Sequence, residues 1–160
     1  MDESLLIMRV VLAGVFATAG LAKLADRAGS ARALAAFGVP APLARPLGVI
    51  LPLVELATAA ALVPAASARW GALAALALLV AFLIAIGVNV GLGRKPDCHC
   101  FGQLHSAPAG RSTLTRNAVL AVMAAAVVLA GWEDAGPGAL GWLATLSAGQ
   151  ATAFGAGVFL

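Results

Sequence analysis

The chain has 160 residues, of which 62% are hydrophobic and only 11% are charged, and it contains no tyrosine. This composition lies far outside that of soluble domains and predicts an integral membrane protein. A net charge of +3 would suggest a nucleic-acid partner in a soluble protein, but here the basic residues lie in short loops between apolar runs. We therefore expect a lipid bilayer as the environment and no nucleic-acid partner.

Four apolar segments approach the length of about 20 residues that a helix needs to cross a bilayer. They comprise residues 4–22, 46–63, 70–90 and 112–130. The first segment is not a signal peptide, because its leading charges are acidic and no small-residue cleavage site follows a short core. A short interfacial helix is predicted between the first two segments. The fold class is therefore an all-α membrane protein, with a four-helix transmembrane bundle in residues 1–131.

Residues 132–160 are predicted to form a linker and the start of a fifth membrane helix. Ser147 and Gln150 have the spacing of a capping box, which marks the start of this helix. Too few residues follow Ser147 to cross a bilayer. We therefore expect the sequence to be cut inside the fifth helix.

The loops at residues 23–45 and 91–111 are predicted to lie on the same side of the membrane, since a pair of crossings separates them. Both loops are rich in lysine and arginine, whereas the opposite side carries mostly acidic residues. By the positive-inside rule, the basic side faces the cytoplasm, and the protein is expected in a bacterial cytoplasmic membrane.

The second of these basic loops contains both cysteines of the chain, Cys98 and Cys100, in "KPDCHCFGQLHS". A disulfide between cysteines separated by one residue is strained and readily reduced. Closing so small a loop also stabilises a fold very little, which favours a redox-active pair over a structural bridge. Neighbouring lysine and arginine residues favour the reactive thiolate, and His99 is a candidate local base.

Two alternatives to a redox pair remain open. The cysteines could be inert loop residues, or they could bind a metal. For a metal such as copper or zinc, the candidate ligands are Cys98, His99, Cys100 and His105. Structural zinc sites usually separate paired cysteines by two to four residues, which disfavours this alternative. Metal binding would make the protein a non-enzymatic metal-binding or assembly subunit that anchors a partner.

Charged residues inside the predicted helices are further candidates, because a charge within a membrane is costly. Glu55 lies near the middle of its segment, and Arg9 enters from the opposite side at a similar predicted depth. We therefore expect Glu55 and Arg9 to form a buried pair. The pair either fixes helix packing or makes Glu55 a proton acceptor coupled to thiol oxidation.

Four other polar residues fall near the membrane end that carries the cysteines. They are Lys23, Asn89, Arg116 and Asn117. We expect them either to anchor the cysteine loop, with Arg116 and Asn117 capping its carbonyls, or to polarise a thiolate or a quinone carbonyl.

The stretch "CHCFGQLHSAPAGRSTLTRNAVL" resembles the MauE family, a relative of the DoxX group. The residues that match the family pattern are Cys98, Cys100, Phe101, Gly102, Arg116 and Asn117. The stretches "AGLAKLAD", "FGVP" and "LPLVELATAAALV" resemble other blocks of the family. The family is associated with methylamine utilisation, where it supports disulfide formation alongside a thioredoxin-like partner.

This resemblance implies a bundle like that of vitamin K epoxide reductase, which passes electrons between thiols and quinone. It implies a thiol–disulfide relay through Cys98 and Cys100, a thioredoxin-like protein or domain as partner, and a quinone as candidate second carrier. No motif in the sequence specifies a quinone pocket. A subset of the family continues through a fifth helix into a thioredoxin-like domain, which would lie on the side of the cysteines. Analogy with periplasmic disulfide formation would place that side outside the cell, contrary to the charge count, which we follow.

Overall fold

The computed structural model describes residues 2–93, 97–98, 107–108 and 111–130. This part of the chain forms five helices and a pair of very short strands. The helices are α1 (Asp2–Ala25), α2 (Arg27–Ala36), α3 (Ala41–Leu62), α4 (Ala65–Gly91) and α5 (Arg111–Ala130), and the strands are β1 (Asp97–Cys98) and β2 (Ala107–Pro108). The fifth membrane helix predicted in residues 132–160 lies outside the described residues.

The predicted all-α membrane bundle is confirmed. Within the described residues, α1, α3, α4 and α5 are long and apolar enough to cross a membrane. Their outer faces also carry large apolar side chains that are mostly exposed: Ile84, Val122 and Leu129 are 60%, 70% and 77% exposed. Such a surface suits contact with lipid.

The four long helices form a closed ring around an alanine-rich core. α1 packs mainly against α3, α3 against α4, and α4 against α5, while α5 also contacts α1. Small residues allow close contact: a Cβ atom on Gly71 of α4 would lie 2.7 Å from the Leu62 backbone nitrogen. On α1, a Cβ atom on Gly20 would lie 3.0 Å from the Pro52 carbonyl oxygen of α3. The two glycines therefore set how closely α1 and α4 approach α3.

The short helix predicted between the first two crossings is α2, which covers one end of α3. Asp26 caps it, with its Oδ1 accepting a hydrogen bond from the Gly29 backbone nitrogen at 2.8 Å. Beyond its last turn, Gly38 adopts a positive φ of 96°. This left-handed conformation favours glycine and reverses the chain into α3.

Two features differ from the sequence prediction. α3 begins at Ala41, five residues before the predicted segment 46–63, so Pro46 lies inside the helix, and Pro42 occupies the first-turn position where proline is tolerated. The cysteine loop contains an antiparallel pairing of β1 with β2, which composition did not indicate because each strand has only two residues.

Gly71→Ala should destabilise the bundle, because the new methyl group meets the backbone of α3, which cannot move aside as a side chain can. We expect a loss of roughly 1–3 kcal/mol in the free energy of unfolding, typical of overpacking. Thermal unfolding in detergent measures it.

The matched control is Gly87→Ala in the same helix, where an added Cβ atom meets nothing within 4 Å. It should leave the unfolding temperature unchanged or slightly raised, since alanine favours helix. Equal destabilisation by both substitutions would contradict the proposed close contact.

Candidate functional site

The structure places Cys98 in β1, at the end of the bundle that α2 covers. Cys98 is in register with Ala107, and Asp97 with Pro108, so the two ends of the cysteine loop are held together. β1 also contacts α2. The basic loop between α1 and α3 and the cysteine loop therefore share one end of the bundle, as predicted. The other loop candidates, His99, Cys100, Phe101, Gly102 and His105, lie outside the described residues.

A buried ion pair between Lys23 and Glu55 lies beneath this end. The Lys23 Nζ donates a hydrogen bond to Glu55 Oε1, which joins α1 to α3. Glu55 is 1% exposed and Lys23 8% exposed, so both charges are removed from water. Each charge therefore depends on the other, because an unpaired charge at this depth is costly. Among the described residues, Glu55 Oε2 has no hydrogen-bond partner.

The prediction that Glu55 pairs with Arg9 is wrong, and side-chain direction explains why. Side chains on a helix tilt toward its N-terminus. α1 and α3 are antiparallel neighbours, so Glu55 tilts toward the cysteine end and Arg9 tilts away from it. Lys23 tilts deeper into the bundle and meets Glu55. The sequence prediction compared only the depths of Arg9 and Glu55 along the helix axes, and it did not include the tilt of their side chains.

Arg9 instead binds the far end of α3. Its Nε donates to the Leu62 carbonyl oxygen at 3.2 Å, and its Nη2 donates to the Val63 carbonyl oxygen at 3.0 Å. The last carbonyls of a helix lack intrahelical donors and carry partial negative charge, which suits a guanidinium. Arg9 thus holds the α1–α3 contact at the end opposite Lys23.

Arg116 and Asn117 of α5 face the ion pair across a cavity of about 30 Å³, which Lys23 and Glu55 also line. Arg116 is close enough to Lys23 for their positive charges to repel. Asn117 is buried, and its Nδ2 donates to the Thr113 carbonyl oxygen at 3.0 Å within its own helix. This cavity matches a water molecule in size and is too small for an organic ligand.

Asn89 links α4 to the end of α2. Its Nδ2 donates to the Ala85 carbonyl oxygen at 2.9 Å and to the Phe37 carbonyl oxygen at 3.4 Å. It therefore ties α4 to the C-terminal end of α2. Its Oδ1 has no partner among the described residues.

Sequence reasoning found each of these polar residues but not the pairing of Lys23. A signal was present: Arg9, Phe16 and Lys23 are spaced seven residues apart, which places both cations on one face of α1. Only one of them can meet Glu55. Residues whose role the sequence did not reveal include Phe82, whose ring centroid lies 5.4 Å from Lys23 Nζ.

No group of three metal-ligating side chains occurs within the part of the chain that the structure describes. The loop residues of the alternative metal site lie largely outside that part, so the metal alternative stays a sequence prediction.

Comparison with known proteins identifies the family. The family model "Methylamine utilisation protein MauE" matches residues 1–130. The chain belongs to the MauE family. A curated member, "Methylamine utilization protein MauE" of Paracoccus denitrificans, is 37% identical over 122 residues. That match covers 75% of this chain and 66% of the relative, just under two thirds of its length. No solved structure matches the chain.

The family match covers the described bundle and the cysteine loop. It confirms the resemblance to MauE and a multi-pass membrane protein. The positions of Lys23, Glu55, Arg116 and Asn117 all lie within the matched range. They are thus part of the MauE segment of the chain.

The Lys23–Glu55 pair should show strong energetic coupling. Lys23→Met and Glu55→Leu should each cost roughly 3 kcal/mol, because each leaves a buried charge without its partner. The double variant should cost clearly less than the sum, with a coupling of about 1–3 kcal/mol. The free energy of unfolding in detergent is measured for the wild type, the two single variants and the double variant.

The control cycle replaces Lys23→Met with Arg9→Met. Arg9 and Glu55 make no mutual hydrogen bond in the structure, so their effects should add. Coupling in the Arg9 cycle, without coupling in the Lys23 cycle, would favour the pairing predicted from sequence.

Proposed function

We propose that this protein is a membrane thiol–disulfide oxidoreductase that relays electrons through Cys98 and Cys100. The observation that carries the proposal is the position of the cysteine loop. The β1–β2 pairing holds the loop closed at the end of the bundle that contains the buried ion pair and α2. A loop at this end of the bundle can meet a partner outside the membrane while it remains next to the membrane domain.

The exchange chemistry needs only the two cysteines and a partner with its own dithiol. A thiolate of the pair attacks one sulfur of the partner's disulfide, which breaks that bond and forms a mixed disulfide. The second cysteine then attacks the mixed disulfide. The partner leaves as a dithiol after taking up two protons, and Cys98 and Cys100 are left as a disulfide. The reverse sequence oxidises the partner.

Partner chemistry follows from this step. A thioredoxin-like protein or domain presents an exposed, low-pKa cysteine pair that suits such exchange. The name of the Paracoccus denitrificans relative links that protein to methylamine utilisation. We propose that this chain serves disulfide formation in a pathway of the same kind, from a bacterial cytoplasmic membrane. The positive-inside rule, applied to the basic loops, supports a cytoplasmic position for the cysteines.

The polar residues under the loop would tune the thiols. Lys23 and Arg116 are basic residues at this end of the bundle, and the charge of Lys23 is paired with that of Glu55. Positive charge stabilises a thiolate relative to a thiol. Basic residues near the loop would therefore favour the reactive thiolate form of the pair.

Cys98→Ser should trap the partner as a mixed disulfide through Cys100, or Cys100→Ser should trap it through Cys98. The remaining thiolate attacks the partner's disulfide, but no second thiol is present to release it. The complex is detected in native membranes as a band that dithiothreitol removes, and mass spectrometry identifies the partner.

The control is the double variant Cys98→Ser/Cys100→Ser, which should trap nothing. If neither single variant forms a mixed disulfide under oxidising conditions, the relay is wrong. Loss of a bound copper or zinc ion in both single variants would then support the metal-binding alternative.

A further inference from the structure

An apolar cavity of about 260 Å³ lies beside the ion pair, between α2, α3 and α4. It is lined almost wholly by aliphatic and aromatic side chains, among them Leu34, Phe37, Leu51 and Phe82. Its polar lining residues are Lys23 and Ser30, and the Ser30 hydroxyl donates to the Lys23 carbonyl oxygen at 3.1 Å. An apolar cavity with a few convergent polar groups is the usual form of a small-molecule site.

Lys23 has hydrogen-bonding capacity left over for a ligand. An ammonium group has three N–H donors. Among the described residues, Glu55 is the acceptor for one of them, and the Phe82 ring lies beside the group. The remaining donors can serve an oxygen atom in the cavity. A buried donor without a partner is costly, so this arrangement favours a ligand with a hydrogen-bond acceptor.

The charge of that oxygen follows from the ion pair. Lys23 is already neutralised by Glu55. A fatty-acid carboxylate or a phosphate here would add a second buried anion beside Glu55, with no second cation lining the cavity. The head group that fits best is therefore an uncharged carbonyl on an apolar, planar body that packs against Phe82.

We infer that this cavity binds the head of a lipid-soluble quinone, with one carbonyl oxygen accepting a hydrogen bond from Lys23 Nζ. This inference rests on the proposed thiol relay, which needs a second carrier for an electron pair. When bound, a quinone supplies a two-electron acceptor that takes up two electrons and two protons to become a quinol. Oxidation of Cys98 and Cys100 from dithiol to disulfide releases two electrons and two protons, so the exchange balances.

The position of the cavity supports this assignment. α2 lines the cavity through Leu34 and Phe37, and the same helix contacts β1, which contains Cys98. The cavity and the cysteine loop are therefore neighbours across one short helix. Gly48 of α3 lies under α2, where an added Cβ atom would be 3.3 Å from the Ala31 backbone nitrogen. α2 is thus held closely over the site.

The test uses photolabelling with an azido derivative of decylubiquinone in the full chain reconstituted in lipid nanodiscs. The Cys98→Ser/Cys100→Ser variant is labelled first, so that thiols do not compete for the label. We expect labelled peptides from α2, α3 and α4 around the cavity, located by mass spectrometry. Menadione should compete with the label, whereas 2-methylnaphthalene, the same ring system without carbonyls, should compete at least tenfold less well.

Matched variants locate the site. Ala33→Phe in α2 and Ala85→Phe in α4 place a ring in the cavity and should each reduce labelling at least tenfold. Ala36→Phe and Ala77→Phe lie on exposed positions of the same helices and should leave labelling unchanged. In the Lys23→Met/Glu55→Leu variant, which removes both charges together, the preference for menadione over 2-methylnaphthalene should disappear.

Each other outcome overturns the inference. Absence of labelling, labelling at a different place, or equal labelling of the filled and control variants would show that the cavity is not a quinone site. Labelling that 2-methylnaphthalene blocks as well as menadione would show an apolar cavity without carbonyl recognition. Because this test uses a chain without cysteines, its failure leaves the partner-trapping result unaffected, and trapping can fail while labelling succeeds.

Discussion

A lysine and a glutamate removed from water must meet each other, and this constraint fixes the arrangement of the bundle around them. Lys23 and Glu55 lie on antiparallel neighbours, and both side chains tilt toward the N-terminus of their own helix, so they converge at one depth only. Gly20 allows the close contact between α1 and α3 that the pair requires. Both cavities, and the α5 residues Arg116 and Asn117, adjoin this ionic contact.

Arg9 adds a second tie between the same two helices. It binds the terminal carbonyls of α3, while Lys23 binds a side chain nearer the cysteine end. α1 and α3 are therefore joined at two levels of the bundle, by backbone carbonyls that accept from Arg9 and by a carboxylate that accepts from Lys23. α4 and α5 pack against this pair mainly through small and aliphatic residues. Of these two ties, the Lys23–Glu55 pair lies nearer α2 and β1, with Arg116 and Asn117 of α5 beside it.

Much of this architecture could be predicted from the sequence, because the bilayer length and the apolar runs leave little choice for the membrane helices. The shared end of the two basic loops also followed from counting crossings. The partner of Glu55 could not be predicted by depth alone, since side-chain direction decided between Arg9 and Lys23. The start of α3 was missed because the apolar segment was counted from residue 46, whereas the helix begins at Ala41 with Pro42 in its first turn. The apolar cavity could not be predicted from the sequence, because it is formed by the packing of α2 on α3 and α4 and no local sequence pattern encodes that packing.

The order in which the helices enter the membrane gives the ion pair a further consequence. Lys23 lies near the end of α1 and has a long side chain, so before α3 arrives its charge can extend to the lipid head groups. Glu55 has no such escape, because its short side chain lies about 10 Å, seven residues, from the nearer end of α3. α1 is synthesised before α3, so Lys23 is available as a counter-ion for this carboxylate when α3 enters the membrane. The pair thus lowers the free-energy cost of placing Glu55 in the bilayer once α1 is there.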